Sequence, residues 1–160
     1  MQGTSNGSRL ENTLATMGQN LDQGLLPLRI YSDPEIFELE MERLFSKVWL
    51  FVGHQSEIPN PGDYVLRNLA RDSFMFVRGR DGKIRVLLNA CRHRGMKVCR
   101  VERGNTPTFR CPNHGWTYNN TGELWGVPAM EEAYGDSLDR LQWSLIPRSE
   151  ERRVGKECRL

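Results

Sequence analysis

Two short stretches of this chain each set a cysteine beside a histidine, and they constrain the fold more than any other feature. Cys91-Arg92-His93 separates the two residue types by one position, and Cys111-Pro112-Asn113-His114 separates them by two. A chain with only three histidines and four cysteines has placed two of each here. Each pair follows a β-rich run and leads into a glycine, Gly95 after the first and Gly115 after the second. Glycine permits the positive-φ turn that bends a loop back on itself. The sequence therefore predicts two loop tips, each presenting one thiol and one imidazole.

The rest of the chain must supply a fold that holds such tips. Its 160 residues suffice for one modest domain with its own core. Hydrophobic residues make up 38% and charged residues 26%, the balance of an ordinary globular protein rather than a disordered one. No apolar run approaches the ~18 residues of a membrane helix. The start, MQGTSNGSRLENTLATMGQN, lacks the basic-then-apolar order of a secretory signal. The reading is a cytoplasmic, reducing compartment, where cysteines more often ligate metal than form disulfides. Neither a membrane nor a nucleic acid is expected as a partner.

Residues 1–27 read as a mobile polar arm, and 28–50 as a lead-in and helix. Leu28 to Tyr31 reads as extended. SDPEIFELEMERLFSKVW then reads as a helix, with Ser32 and Glu35 as a capping box and Pro34 in the first turn. Phe37, Met41, Leu44, Phe45 and Val48 form one apolar stripe that predicts core packing. After Trp49 the period shortens. WLFVGH, DYVLRNL, SFMFVRG and KIRVLLNA are β-rich runs broken by Pro59, Pro61-Gly62 and Arg80-Asp81-Gly82. Asp81-Gly82 predicts a hairpin. TFRC and GWTYNNTGELWGVP predict two more short strands, joined at Asn119-Asn120-Thr121-Gly122. The expected fold class is mainly β: a small antiparallel domain over 51–147, preceded by an N-terminal α-helix.

The end of the chain changes character. RSEERRVGKEC, residues 148–158, has high charge and no apolar periodicity, and it resembles the translation of a common sequencing adapter. We read 148–160 as a non-native tail and the authentic frame as interrupted near Pro147, which makes the chain a piece of something longer. Setting aside the tail's five basic and three acidic residues leaves 17 of each from the totals of 22 and 20, so the net charge of +2 belongs to the tail. Cys158 is set aside as a ligand.

Three chemistries compete for the paired residues. Structural zinc also takes two cysteines and two histidines, but zinc fingers group Cys with Cys and His with His. A disulfide between Cys91 and Cys111 is disfavoured in a reducing compartment and leaves both histidines without a role. A Rieske [2Fe–2S] centre holds one iron by two cysteines and the other by two histidines. The mixed pairs suit it best, with each loop giving one ligand to each iron; zinc is the remaining alternative.

The phrases WLFVGHQSEIPNPGDY, LLNACRHRGMKVC and CPNHGWTYNNTGEL carry a wider resemblance, over about 28–145. The chain resembles the Rieske domain in the large (α) subunits of aromatic-ring-hydroxylating dioxygenases, of the naphthalene and polycyclic-aromatic type. The resemblance implies Cys91 and Cys111 on one iron of the [2Fe–2S] cluster, and His93 and His114 on the other. It implies electrons from NADH through a reductase and a ferredoxin, then cis-dihydroxylation of an aromatic hydrocarbon. That chemistry belongs to a separate mononuclear Fe(II) held by two histidines and a carboxylate. The implied partners are the ferredoxin, other α subunits and, as an option, a β subunit. No histidine follows His114. With His93 and His114 committed, His54 alone cannot build that second iron site. The chain is therefore expected to hold no catalytic residue, to transfer electrons and to be inactive alone, the aromatic substrate binding only the full-length protein. The rival is a stand-alone Rieske ferredoxin, which usually lacks so long a lead-in before the first ligand.

Ligand choice sets the redox range. Two thiolates and two neutral imidazoles leave the oxidised cluster uncharged, and one electron takes it to minus one, so it is reduced more easily than a four-cysteine cluster. Respiratory-type Rieske proteins resemble C-x-H-x-x-C and C-x-C-H-x-S. Here Met96 and Asn113 stand at their disulfide positions and Trp116 at their serine. With fewer hydrogen bonds to sulfur, a potential near the low end, about −150 mV, is expected. Trp116 reads as a shield against water. His54 reads as a satisfied, partly buried imidazole, and Cys99 as a small hydrophobe. Arg92, Arg94, Lys97, Arg100, Arg103 and Arg110 against Glu102 read either as a solvated face or as a dock for an acidic ferredoxin.

Overall fold

In the computed structural model, residues 5–135, 137–148 and 157–159 are described. They fall into two compact units, Met1–Lys47 and Val48–Leu160. No helix among the described residues is long and apolar enough to cross a membrane.

The first unit is helical where a polar arm was expected. Helix α1 spans Ser5–Leu21. Its low mean hydropathy hides a spacing that the structure uses: Leu10, Thr13 and Met17 are half-buried at i, i+3 and i+7. Leu28–Tyr31 is a 3₁₀ turn rather than an extended segment. Helix α2 spans Pro34–Glu40, with Pro34 in the first turn as expected. Its cap is Asp33, not Ser32. The Asp33 carboxylate accepts from the Glu35 amide at 2.9 Å and from Arg29 Nε at 2.6 Å. The hydrogen-bonded Arg29 holds this carboxyl below its ordinary range. Beyond α2, Met41–Phe45 winds as a π-turn. Within α2 Ile36 is buried and Phe37 is exposed; past the widening Leu44 is exposed as well, while Met41, Phe45 and Val48 of the predicted stripe are half-buried.

The second unit is antiparallel β, as expected. Its largest sheet has the order β5-β2-β3-β4-β9, from Arg103–Asn105, Asp63–Leu69, Asp72–Arg78, Ile84–Leu88 and Pro147–Arg148. A second sheet pairs β6 (Thr108–Arg110), β7 (Thr117–Asn119) and β8 (Leu124–Gly126). Strand β1 (Trp49–Phe51) pairs with β10 (Glu157–Arg159). A short helix α3 covers Met130–Tyr134.

The β3–β4 hairpin turns at Asp81-Gly82, with Gly82 at φ +74. Asp81 takes two hydrogen bonds from Arg85, at 2.7 and 2.8 Å. The β2–β3 hairpin turns at Ala70-Arg71, with Ala70 at φ 52 and no glycine to mark it. Strand β5 escaped sequence reading because RGN has no β-rich composition; it pairs Arg103 with Val65. The Asn119–Gly122 turn closes as expected, Asn119 Oδ1 accepting from Thr121 and Glu123 amides. Of the segment read as non-native, Arg148 pairs with Val86 and 157–159 pair with β1, while 149–156 and 160 lie outside the described residues. Strand pairing uses backbone groups that every residue carries, so it does not bear on the segment's origin.

The central sheet is buried on both faces. On one face Val65, Phe74, Phe76, Ile84 and Val86 pack with Val52 and Ile58. On the other, Tyr64, Met75, Val77 and Leu87 pack with Phe109, Tyr118 and Leu124 of the three-stranded sheet. Cys91 and Cys111 belong to this second core. The loops that carry them leave β4 and β6 at its edge.

Candidate metal centre

The two loops share one backbone plan. The Cys91 amide donates to Met96 O at 2.8 Å, and the Gly95 amide to Cys91 O at 2.7 Å. The Cys111 amide donates to Trp116 O at 2.8 Å, and the Gly115 amide to Cys111 O at 3.0 Å. Each glycine stands four positions after its cysteine, at φ +73 and +71. An added Cβ on Gly115 would also meet Pro128 at 3.0 Å. The shared backbone plan buries both thiols and leaves His93 half-buried and His114 exposed, although the histidine stands two positions after Cys91 and three after Cys111.

The four sequence-predicted residues meet as two like pairs, Cys91 with Cys111 and His93 with His114. Cys91 and Cys111 are buried. Burial pushes the Cys91 thiol up; the Tyr118 hydroxyl pulls it back, and the contacting Cys111 thiol raises it again. The His93 and His114 rings lie 4.6 Å apart between centroids, at 76°. His114 is exposed and His93 half-buried. Burial first, then His114 and Arg94, lowers the His93 pKa, which favours the neutral imidazole that ligates metal. His93 Nδ1 is buried with no hydrogen-bond partner. A buried lone-pair nitrogen without a donor is costly unless something else binds it. Among the described residues, no three Cys, His, Asp or Glu side chains gather as one metal ion would require. Two thiols facing each other, beside two imidazoles facing each other, fit a group that takes one pair on each of two irons.

Two residues that sequence reasoning missed complete the surroundings. The Tyr118 hydroxyl lies 3.4 Å from Cys91 Sγ. It accepts from the Arg92 amide at 3.0 Å, so its own proton is left for the sulfur. Strand alternation was the available signal, since Tyr118 stands two positions after Trp116 and shares its face. The other is Trp143. Trp116 stacks on His93 at 5.2 Å and 11°, and Trp143 packs edge-on against Trp116 at 5.7 Å. Tyr134 closes the same side at 6.1 Å. Trp116 itself is buried and lies against one face of the His93 ring.

The remaining candidates sort differently. His54 is exposed rather than partly buried, but it is satisfied: its Nδ1 takes the Ser56 amide at 3.3 Å, and Glu57 takes the His54 amide at 2.9 Å. It caps a turn. Cys99 is a buried small residue, its backbone clamped by the Asn89 side chain at 2.8 and 2.9 Å. Lys97, Arg100 and Arg103 line a groove of about 590 Å³ with Arg67, Asn68 and Glu102. Arg67 is paired there with Glu57.

Comparison with known proteins gives one family. The model of the Rieske [2Fe-2S] domain matches residues 48–144. The chain is 52% identical over 128 residues to the N,N-dimethyl phenylurea N-demethylase subunit alpha of Sphingobium sp. (strain YBL2), covering 80% of this chain and 28% of that protein. It is 42% identical to the biphenyl dioxygenase subunit alpha of Paraburkholderia xenovorans (strain LB400), covering 76% of this chain and 28% of that one. Among solved structures, naphthalene 1,2-dioxygenase from Rhodococcus sp. bound to indole superimposes with a TM-score of 0.86 at 47% identity, over 96% of this chain and 35% of that chain. The chain thus spans about 28% of the length of these curated relatives.

Proposed function

We propose a function from one premise: this chain belongs to the Rieske [2Fe–2S] domain family, and its match lies with the α subunits of ring-hydroxylating dioxygenases. The reading is an electron-transfer domain. Cys91 and Cys111 would hold one iron, and His93 and His114 the other. The cluster, when bound, supplies storage of a single electron. The chain's own side chains do the rest. Trp116 and Trp143 keep water from His93, Tyr118 donates to the Cys91 sulfur, and the exposed His114 edge is the opening through which an electron enters or leaves. The reading places the protein in a reducing cytoplasm, where both thiols remain available. Its main support is the orphaned His93 Nδ1 beside His114, over two facing thiols. Purified without oxygen, the chain should be red-brown, carry two irons and two sulfides, and give a rhombic EPR signal when reduced. Stoichiometric zinc with no visible absorbance would overturn it.

The donor in this reading is an acidic ferredoxin, drawn to the basic face around Lys97, Arg100 and Arg103. Charge of this kind mainly speeds encounter. The acceptor is a mononuclear iron in a further domain, reached in a neighbouring α subunit of an assembly that can also hold β subunits. The reaction served is cis-dihydroxylation of an aromatic hydrocarbon, as the names of the biphenyl and naphthalene relatives suggest. A second reading has its own support in the 52% identity to an N-demethylase subunit: the same electron supply would then serve oxidative N-demethylation. Assay of the full-length protein on naphthalene and on an N,N-dimethyl phenylurea separates the two, by a dihydrodiol in one case and a demethylated urea in the other.

A further inference from the structure

One charged side chain stands inside the first Cys–His pair. Arg92 lies between Cys91 and His93, in the first loop. Its guanidinium carbon stands 5.9 Å from the centroid of Trp143. Trp143 meets Trp116, and Trp116 stacks on His93. The cation therefore ends a column of four side chains whose other end is a candidate ligand. Arg92 Nε is buried and has no hydrogen-bond partner. No carboxylate among the described residues pairs with the guanidinium. Its backbone is pinned as well, because the Arg92 amide donates to the Tyr118 hydroxyl that touches Cys91.

A guanidinium N–H removed from water without an acceptor is costly. A cation over an indole recovers only part of that. Arg92 as a whole is half-buried, with its Nε enclosed beside the indole. What rewards this placement is the charge of the neighbouring group. The site gains one negative charge on reduction, and a fixed cation held in a poorly solvated position stabilises the charged form more than the neutral one. We propose that Arg92, oriented by Trp143, is the fixed charge that favours the reduced state of the centre. It is a positioning residue that acts through its field and not as a ligand. The inference rests on the cluster reading above.

The test uses the whole chain loaded with its cluster. Arg92→Gln removes the charge and keeps a donor of similar reach, Arg92→Lys restores the charge, and Trp143→Leu keeps the charge but removes its platform. Iron and sulfide content and the EPR g-values report whether the centre is intact. A redox titration then reads the potential. For Arg92→Gln with an intact centre, the reduced-to-oxidised ratio at fixed ambient potential should fall about tenfold, which is 59 mV for one electron. Arg92→Lys should recover most of that, and Trp143→Leu should fall between. A potential for Arg92→Gln equal to the wild type, or one for Arg92→Lys as low as Arg92→Gln, would overturn the proposal. Should Arg92→Gln fail to load, the comparison passes to Trp143→Leu, where an unchanged potential is equally fatal. A wild-type chain that takes up no cluster is a different failure, that of the metal reading itself.

Discussion

At the scale of single residues, the centre depends on groups that donate to sulfur or exclude water. Tyr118 is the nearest hydroxyl to a candidate ligand, 3.4 Å from Cys91 Sγ. A hydrogen bond to a thiolate favours the reduced cluster, so its removal should lower the potential. Tyr118→Phe keeps the buried ring and deletes only the donor. If the bond is worth about 1 kcal/mol, the midpoint falls by roughly 40 mV. A titration that finds no fall would deny the hydroxyl this role. Asp81 allows a pH prediction. Its carboxyl is pulled down to about 2, chiefly by the hydrogen-bonded Arg85. A folded pKa below the unfolded one contributes stability that is present above the ordinary carboxyl value and is lost as pH falls toward 2. The pair is partly exposed, with the Asp81 side chain 38% accessible, so screening leaves at most about 1 kcal/mol. Denaturation of the wild type between about pH 4 and 2 should therefore show a steeper slope than Asp81→Asn, by the share this one carboxyl contributes.

At the scale of elements, the hairpins and the edge strands make distinct predictions. Ala70 holds φ 52 in the two-residue β2–β3 turn. A side chain there costs about 1–2 kcal/mol, and glycine avoids that for a smaller loss of chain entropy. Ala70→Gly should raise unfolding stability by about 0.5–1 kcal/mol, read from the denaturant midpoint at constant slope. A fall would place the strain elsewhere. Among the described residues, strand β10 pairs with β1 alone, and Trp49–Phe51 belong to neither buried core. Deleting 149–160 should thus leave cluster content unchanged and the thermal midpoint within about 2 °C. Loss of the cluster on deletion would make this segment a structural part of the domain, against our reading of it as non-native.

At the scale of the whole molecule, the chain offers one electron store where ring oxygenation needs two electrons and a second iron with open coordination positions. After His93 and His114, only His54 remains, and it caps a turn. Given NADH, reductase, ferredoxin, ferrous iron and naphthalene, the chain should be reduced once and then stop, with no cis-dihydrodiol by chromatography. Formation of the diol by this chain alone would overturn the division of roles. The longer relatives carry the same domain within subunits about three to four times its span, which is where the second iron is expected.

The sequence alone determined the two loop tips, the antiparallel β class and the Asp81-Gly82 turn. Each depends on residues close in the chain: ligand spacing, alternation of apolar positions, and a glycine that can take positive φ. Tertiary structure alone decided that Tyr118 reaches Cys91 and that Trp143 joins Trp116 over His93. Those contacts cross between loops and strands far apart in sequence, and no local periodicity records them. The same reason explains the misread helix stripe. In α2 Ile36 is buried rather than Phe37, and the π-turn at Met41–Phe45 breaks the count that placed Leu44 on the same face. It explains strand β5 as well, whose RGN becomes a strand only because β2 offers it a backbone to pair with.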